Sequence, residues 1–299
     1  MRAISQYWKD DPDTLPLLKE RVCDDLHEGV RQEAVRAISQ YWNDDPETLY
    51  WLGERVQIDE NLDVRRAIVW EIARYRNDSP DTLPLIKKWV LSDRNPDFLF
   101  PAVATIARYW KDDLNTFLWL KEQAESSQSP EVRSFSIWAI AEYWHDSLDT
   151  LQWLKELVES NQQPNVRVSA EWVLWALWAI ARHWKNDPSI LLWLKGQARS
   201  NNSFDVQLES VKAIIEYWKN ESSTFDFLCE VINQNSFIQI GKEDFEYEKS
   251  PRCLALKGLL EIAPDDQRVI DLLRDRAAND PDDLLRQWAT EQLTKIAPQ

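Results

Sequence analysis

Residues 37–46 read Ala-Ile-Ser-Gln-Tyr-Trp-Asn-Asp-Asp-Pro, and residues 3–12 read Ala-Ile-Ser-Gln-Tyr-Trp-Lys-Asp-Asp-Pro. The two segments are 34 residues apart. The unit recurs with the same spacing around Tyr75, Tyr109, Tyr143, His183, Tyr217 and Ile262, except that six extra residues precede the His183 copy and eleven precede the Ile262 copy. A period that persists along the chain is the signature of stacked structural repeats.

Each unit is predicted to contain two helices. Counted back from the Tyr position, apolar residues fall three, six, seven and eleven positions earlier, which describes one face of an α-helix. The second helix carries Leu49, Leu52 and Val56 at helical spacing. Between the two, Asp45 is predicted to cap the second helix, and Pro46 fits its first turn, where a missing N–H has no cost. The same pair recurs as Asp11-Pro12 and Asp187-Pro188.

A single helix pair of this size cannot bury its apolar face, so neighbouring pairs must stack. The sequence therefore predicts an all-α fold, a right-handed α-solenoid of about eight 34-residue helix-turn-helix repeats in one domain, residues 1–299. The predicted segments are a partial first repeat 1–28, repeats 29–62, 63–96, 97–130, 131–164, 165–204, 205–250 with an insertion at 233–250, and 251–283, and a C-terminal capping helix 284–299.

Val-Arg pairs open several of the first helices, at Val30-Arg31, Val64-Arg65, Val132-Arg133 and Val166-Arg167. Together with the Asp-Pro pair in mid-repeat, this pattern resembles HEAT-type repeats. Residues 132–158 are similar to the repeats attached to NACHT-type NTPases in cyanobacteria, and that resemblance extends over most of the chain, weakening after residue 232. It implies a sensor or scaffold that binds a protein partner in a defence or signalling system.

The NTPase part itself is not in this sequence, because no Gly-x-x-x-x-Gly-Lys-Ser/Thr phosphate loop occurs. Met1 occupies the position of Val35 in the next unit, so we expect the chain to begin inside a helix and to follow an upstream NTPase module of the same polypeptide. Two alternatives stay open. One is a pigment-handling chaperone, since HEAT-like lyases that attach bilins share the fold type; the other is a stand-alone adaptor.

Composition narrows the classes of partner. The chain has 35 basic and 51 acidic residues, a net charge of −16, which disfavours nucleic acid and anionic membrane surfaces. It contains no apolar run of 18 residues, so no transmembrane helix is predicted. The three cysteines, Cys23, Cys229 and Cys253, have neither disulfide-framework nor metal-ligand spacing, which favours the cytoplasm and predicts no metal and no cofactor.

The sequence also predicts that the protein is not an enzyme and has no catalytic residues. His27, His145 and His183 stand in unrelated places, and His183 replaces the repeat Tyr. The paired acids recur at the same turn and are interpreted as helix caps rather than an acid–base pair. The three cysteines are interpreted as inert core thiols, since each lies in or beside an apolar helical stretch.

The 17 tryptophans fall mainly into three repeat positions. Trp51, Trp119, Trp153 and Trp193 share a position that is apolar in other repeats, so we expect core packing there. Six tryptophans follow the Tyr position and are expected to be half-buried at the turn: Trp8, Trp42, Trp110, Trp144, Trp184 and Trp218.

The third position, five residues before the Tyr, holds Arg2, Arg36, Trp70, Ala104, Trp138, Trp178, Lys212 and Lys257. Its mixed composition predicts solvent exposure opposite the apolar stripe, and the position eight before the Tyr shares that face. The predicted partner-binding residues are Trp70, Phe135, Trp138, Trp175 and Trp178, with Phe237 and Phe245 from the insertion. The alternative interpretation is that the extra residues before His183 shift the helix and bury these rings, and that the insertion at 233–250 contacts no partner.

Overall fold

The computed structural model describes residues 6–160, 171–200, 203–233 and 251–296. Within these ranges the regular secondary structure is α-helical, with sixteen helices joined by short turns and linkers. The predicted all-α solenoid of helix-turn-helix repeats is confirmed. The helices fall into two compact units, residues 1–146 and 147–299, and each is described separately.

The first unit contains four pairs, each made of a second helix and the first helix of the following repeat. Its helices are α1 Thr14–Asp24, α2 Glu28–Tyr41, α3 Pro46–Ile58, α4 Leu62–Arg76, α5 Thr82–Ser92, α6 Pro96–Tyr109, α7 Leu114–Ser126 and α8 Pro130–Tyr143. The first helices form one layer, in which α2 packs on α4, α4 on α6 and α6 on α8, and each second helix packs on the first helix that follows it.

The second unit repeats this arrangement. Its helices are α9 Leu148–Ser160, α10 Glu171–His183, α11 Pro188–Ser200, α12 Phe204–Trp218, α13 Ser222–Asn233, α14 Pro251–Ile262, α15 Gln267–Asn279 and α16 Asp283–Ile296. Here α10 packs on α12 and α12 on α14, while α15 packs against the last helix, α16.

The apolar stripe of the first helices forms the core of each unit. Three residues before the Tyr position, every described side chain is at most 1% exposed: Ile38, Ile72, Ile106, Ile140, Ile180, Ile214 and Leu259. Full burial of such a side chain stabilises a fold by about 1.5–3 kcal/mol. The predicted stripe is therefore confirmed, and it holds each repeat against its neighbour.

The predicted Asp cap is confirmed at two of its three positions. The Asp45 carboxylate accepts hydrogen bonds from the backbone N–H groups of Glu47 (3.1 Å) and Thr48 (3.2 Å) and from the Thr48 hydroxyl (2.7 Å). The Asp187 carboxylate accepts from the N–H of Ser189 at 2.9 Å. In both cases the capping carboxylate satisfies donors that the helix leaves without a carbonyl partner.

At Asp11 the cap prediction is wrong. Helix α1 begins at Thr14, and Asp11 instead accepts a hydrogen bond from the N–H of Asp13 (2.9 Å) in the turn before the helix. The reason is Pro16. A helix beginning at Pro12 would need an N–H from residue 16, whereas a start at Thr14 leaves Pro16 in the first turn, where no N–H is required.

The Val-Arg pair that opens the first helices ties three segments together. Arg65 donates from Nε to the carbonyl of Val56 (2.6 Å) in the preceding second helix and forms an ion pair with Asp93, which ends the next one. Asp93 also accepts the N–H of Asn95 at 2.8 Å, which turns the chain into α6. The Arg65 and Asp93 side chains are only 14% and 15% exposed.

The second unit repeats this contact at the same sequence separation of 28 residues. Arg252 and Asp280 form an ion pair at 3.0 Å between almost fully buried side chains, and Asp280 accepts the N–H of Asp282 at 3.0 Å. In the first unit, Arg133 donates from Nε to the carbonyl of Ala124 (3.1 Å), as Arg65 does to Val56. The arginine thus fixes the linker between successive repeats.

The cap generates a first prediction. Asp45→Ala should lower the free energy of unfolding by about 1 kcal/mol, because two N–H groups of α3 lose their acceptor. The hydrogen bond from the Thr48 hydroxyl lowers the pKa of Asp45 against the opposing effect of burial, and the two N–H groups lower it further. The stabilisation is therefore present above about pH 4 and is lost as the pH falls through the lowered pKa.

Urea unfolding of the whole chain at pH 7 and at pH 3 measures this effect. Asp44→Ala is the matched control, because Asp44 is exposed and contributes no cap to α3. Equal losses for the two variants at pH 7 would contradict the cap.

The linker contact generates a second prediction. Arg65→Ala should destabilise the protein by about 3 kcal/mol, because it leaves the Asp93 carboxylate without its counter-charge in a mostly buried position. Arg94→Ala removes an exposed arginine next to the linker's capping Asn95 and should change the free energy of unfolding by less than about 0.5 kcal/mol. A loss below 1 kcal/mol for Arg65→Ala would show that the ion pair does not stabilise the linker.

Candidate protein-binding surface

The residue types that usually carry catalysis are dispersed. His145 contacts the carbonyl of Glu142 through Nδ1 (2.9 Å), and the ring of His183 stands edge-on to Trp184 at 6.1 Å. Among the described residues, no group of three or more His, Cys, Asp or Glu side chains is arranged to hold a metal ion. His145 Nε2 also lies 3.5 Å from the exposed carboxylate of its neighbour Asp146.

The cysteines differ from one another. Cys253 is buried and fits the prediction of a core thiol, and burial raises the pKa of the half-buried Cys229. For Cys23 the prediction is wrong, because its thiol is exposed and lies 3.5 Å from the Arg55 guanidinium. In the apolar stretch around Cys23, the buried residue is Val22, which is one residue earlier and points in a different direction from the helix axis.

The tryptophans that follow the Tyr position link the turns of neighbouring repeats. The indole N–H of Trp110 donates to the carbonyl of Asn77 (3.0 Å), and that of Trp218 donates to the carbonyl of Lys185 (3.1 Å), each 33 residues earlier. At the turn after α4, the equivalent residue is Arg76. The Arg76 guanidinium donates to the carbonyl of Asn43, again 33 residues earlier. At these three turns, a long side chain with an N–H donor joins one turn to the preceding turn, whereas the last repeat has Ala263 at this position.

The predicted half-burial is confirmed for most of this set. It holds for Trp42, Trp110, Trp144 and Trp184, while Trp8 is exposed and Trp218 is buried.

The tryptophans of the second helices are less buried than predicted. Trp153 belongs to the core, as expected, but Trp51, Trp119 and Trp193 are half-buried. Each of these three rings is covered by a lysine of the preceding second helix. The distances from Nζ to ring centroid are 5.2 Å for Lys19 over Trp51, 4.8 Å for Lys87 over Trp119 and 5.6 Å for Lys155 over Trp193. A cation and its aliphatic stem can cover a ring that core residues do not.

Six half-buried aromatic side chains on α4, α6 and α8 form what we call the aromatic face: Trp70, Phe100, Tyr109, Phe135, Trp138 and Tyr143. Phe100 joins α6 to α8, with ring centroids 5.3 Å from Phe135 and 4.6 Å from Trp138. Trp70 joins α4 to α6 through an edge contact with Tyr109 at 5.5 Å. Trp138 lies 6.2 Å from Tyr143. The rings thus pair across three neighbouring helices and keep part of their surface in solvent.

Three of the predicted site residues, Trp70, Phe135 and Trp138, belong to the aromatic face. They are half-buried rather than fully exposed, because rings on neighbouring helices pack against one another. Phe100 was missed because its repeat position holds Gln32, Arg66 and Ser134 elsewhere, so a lone aromatic there carries no periodic signal. The Tyr residues recur in nearly every repeat and mark the turn, so their position alone does not indicate a binding surface.

The other predicted residues lie elsewhere. In the second unit, Trp175 is 41% exposed, and Trp178 is half-buried, donating from its indole N–H to Glu209 (2.9 Å) and packing on Tyr217. Since Phe135 and Trp138 belong to the first unit, a surface shared by all four rings stays a prediction. Phe237 and Phe245 lie outside the described residues.

Arginines border the aromatic face. The guanidinium carbon of Arg108 lies 5.0 Å from the centroid of Trp70, and that of Arg74 lies 5.2 Å from Tyr75. Burial raises the pKa of the Tyr109 phenol, and the positive charges of Arg108 and Arg74 oppose that rise. Both guanidinium groups are therefore close enough to the same phenol to act on its charge.

A cleft of about 480 Å³ lies beside this border, between α2 and α4. Arg36 lines it and forms hydrogen-bonded ion pairs with Glu71 (2.9 Å) and Glu33 (2.6 Å). The hydrogen bond to the buried Glu71 is the main reason why the pKa of Arg36 is raised. Arg36 is therefore paired with two carboxylates of the same chain, whereas Arg74 and Arg108 contact aromatic rings.

The chain is similar to one described repeat family and to solved structures. Residues 2–70 match the family described as HEAT repeats. The crystal structure of Kap121p is similar, with 16% identity and a TM-score of 0.47, covering 96% of this chain and 32% of that chain. A structure described as "Computational Design of Self-Assembling Cyclic Protein Homooligomers" is similar over 99% of this chain and 92% of that chain, with 14% identity and a TM-score of 0.14.

This chain therefore spans about a third of the length of the Kap121p chain. No curated protein has a sequence that matches it. In the part of the chain that the structure describes, no helix is both long enough and apolar enough to span a bilayer.

The turn contact generates a third prediction. Arg76→Trp should leave the free energy of unfolding within about 0.5 kcal/mol, because an indole N–H can replace the guanidinium at the Asn43 carbonyl. Arg76→Met keeps much of the side-chain length but removes the donor and should cost about 1 kcal/mol. Urea unfolding measured by circular dichroism compares the two variants. If Arg76→Met were as stable as Arg76→Trp, the hydrogen bond would not explain the choice of residue.

Proposed function

We propose that this chain is a non-catalytic protein-interaction scaffold and that the aromatic face of its first unit binds the protein partner. The observation that carries the proposal is the aromatic face itself, bordered by Arg74 and Arg108. Tryptophan, tyrosine and arginine dominate the binding energy of protein interfaces, and clustered exposed aromatic surface marks interaction sites.

The packing of the helices does not require these rings, which favours a binding role. At the position of Trp70 and Trp138, the intervening helix α6 has Ala104, and α2 has Arg36. At the position of Phe135, the α4 residue is Ala67. The apolar stripe is fully buried in all four helices regardless of what stands on the outward side. Large rings are thus concentrated where stability alone would accept small or charged residues.

The wider context of the scaffold is part of the proposal. The resemblance of residues 132–158 to NACHT-associated repeats supports a sensing or scaffolding part of such an NTPase system in the cytoplasm. The coding sequence upstream of Met1 distinguishes this proposal from that of a stand-alone adaptor. The NACHT-associated scaffold requires an upstream NTPase module in the same polypeptide, and the adaptor does not.

Site-specific photocross-linking tests the binding role and gives the fourth prediction. Ala104→p-benzoylphenylalanine places a photoreactive ring at the centre of the aromatic face, between the helices that carry Trp70 and Trp138. In extract of the source cell, this variant should form a discrete cross-link to another protein. An excess of unlabelled wild-type chain should compete it away, and an excess of the unlabelled Trp70→Ala/Trp138→Ala chain should compete at least tenfold less well.

The matched control places the same photoreactive residue at Glu122, which is exposed on the second helix α7. It should not form the same cross-linked product. Overlapping urea-unfolding curves for the wild type and the double alanine variant, together with equal competition by both, would rule out the aromatic face as the binding surface.

A further inference from the structure

The negative charge of the first unit does not lie on the first helices. Residues 1–146 contain 18 basic and 27 acidic residues, whereas α2, α4, α6 and α8 together hold eight arginines and seven acidic residues. The acidic excess therefore lies in the turns, linkers and second helices. The layer that carries the aromatic face is almost neutral, and its cations are all arginines, which can bind a carboxylate through two parallel hydrogen bonds.

Two of these arginines are available for a partner. The Arg74 side chain is 50% exposed, and its nearest carboxylate oxygen, on Glu71, is 4.0 Å away, too far for a hydrogen bond. Arg108 is exposed, and no carboxylate of the described part of the first unit lies within 4 Å of its guanidinium. The remaining contact of each group is the face of an aromatic ring, which leaves its N–H donors free to bind an anion.

A purely local role for these cations does not account for their positions. An arginine in the last turn of a helix compensates the negative end of the helix dipole, and both residues lie there. However, α2 has Gln40 and α8 has Glu142 at the same repeat position. The fold therefore accepts a neutral or acidic residue at this position, and in the first unit the cations at this position are those of α4 and α6, beside Trp70.

The spacing of the helices limits what can reach both arginines. Packed helices lie about 8–10 Å apart, and a segment in the extended polyproline II conformation advances about 3.1 Å per residue with three residues per turn. Such a segment, crossing the layer, presents every third side chain on one side, to successive helices. Carboxylates at positions i and i+3 would meet Arg74 and Arg108, and the side chain at i+6 would reach α8. There, the Trp138 ring accepts an apolar group.

We infer that the aromatic face binds an extended acidic segment of the partner protein, with carboxylates at i and i+3 on Arg74 and Arg108 and an apolar side chain at i+6 on Trp138. This inference rests on the proposed function and adds the chemistry of the partner. The acidic turns repel nucleic acid, and two free arginines are too few to offset that repulsion.

Fluorescence anisotropy with the full chain tests the inference and gives the fifth prediction. The probes are three fluorescein-labelled twelve-residue peptides that are otherwise made of serine and glycine. The first has Glu at i and i+3 and Leu at i+6, the second has the two Glu adjacent, and the third has Lys in place of Glu. The first should bind at least tenfold more tightly than the third and about threefold more tightly than the second.

The matched variants are two double substitutions with the same change of charge. Arg74→Gln/Arg108→Gln should weaken binding of the first peptide at least tenfold, because each glutamate loses a charge-assisted hydrogen bond. Lys88→Gln/Arg94→Gln changes two exposed cations outside the first helices and should alter binding less than twofold. Coincident urea-unfolding curves for the two variants show that the difference does not arise from unfolding.

Several results would overturn the inference. These are equal binding of the Glu and Lys peptides, no measurable binding of the first peptide, equal losses in both double variants, or displacement of the peptide by an equimolar twelve-nucleotide oligothymidine. The cross-link from position 104 separates the two proposals. If it persists at full yield in the Arg74→Gln/Arg108→Gln background, the acidic segment is wrong and the scaffold stands. If no cross-link forms at all, the scaffold proposal fails first.

Discussion

The whole structure depends on the inability of one helix pair to bury its own apolar stripe. Ile72 and Ile106 are almost completely buried because α4 and α6 each lie between two neighbouring first helices and against second helices. Each repeat therefore stabilises its neighbour, and stability resides in the contacts between repeats. This constraint uses one side of every first helix and leaves the opposite side free to vary, and the aromatic face occupies that opposite side.

Polar contacts then set the position of each repeat on the next. The Arg65–Asp93 and Arg252–Asp280 pairs fix the linkers, and the indole of Trp110 and the guanidinium of Arg76 join the turns. These groups contact backbone carbonyls or mostly buried carboxylates, so they satisfy polar atoms that stacking would otherwise leave without partners. They explain why an arginine recurs at the start of the first helix and a Trp or Arg N–H donor recurs at the turn.

Periodic features could be predicted from the sequence, and features that depend on a single repeat could not. The stripe and the caps of Asp45 and Asp187 followed from helical spacing and turn chemistry. Asp11 did not follow, because a second proline four residues beyond Pro12 moves the start of α1. The covered tryptophans of the second helices require a lysine from another repeat, 32 residues away in the case of Trp51. Phe100 has no aromatic counterpart at its repeat position, so only the structure brings it to Phe135 and Trp138.

Partner binding is proposed for the outward side of the first helices rather than for the second helices. Hydrogen–deuterium exchange of the full chain with and without the cross-linked partner protein measures this directly, helix by helix. Binding should slow exchange at the C-terminal halves of α4 and α6 and along α8, while α3, α5 and α7 exchange as in the free chain. Slower exchange confined to the second helices would contradict this proposal.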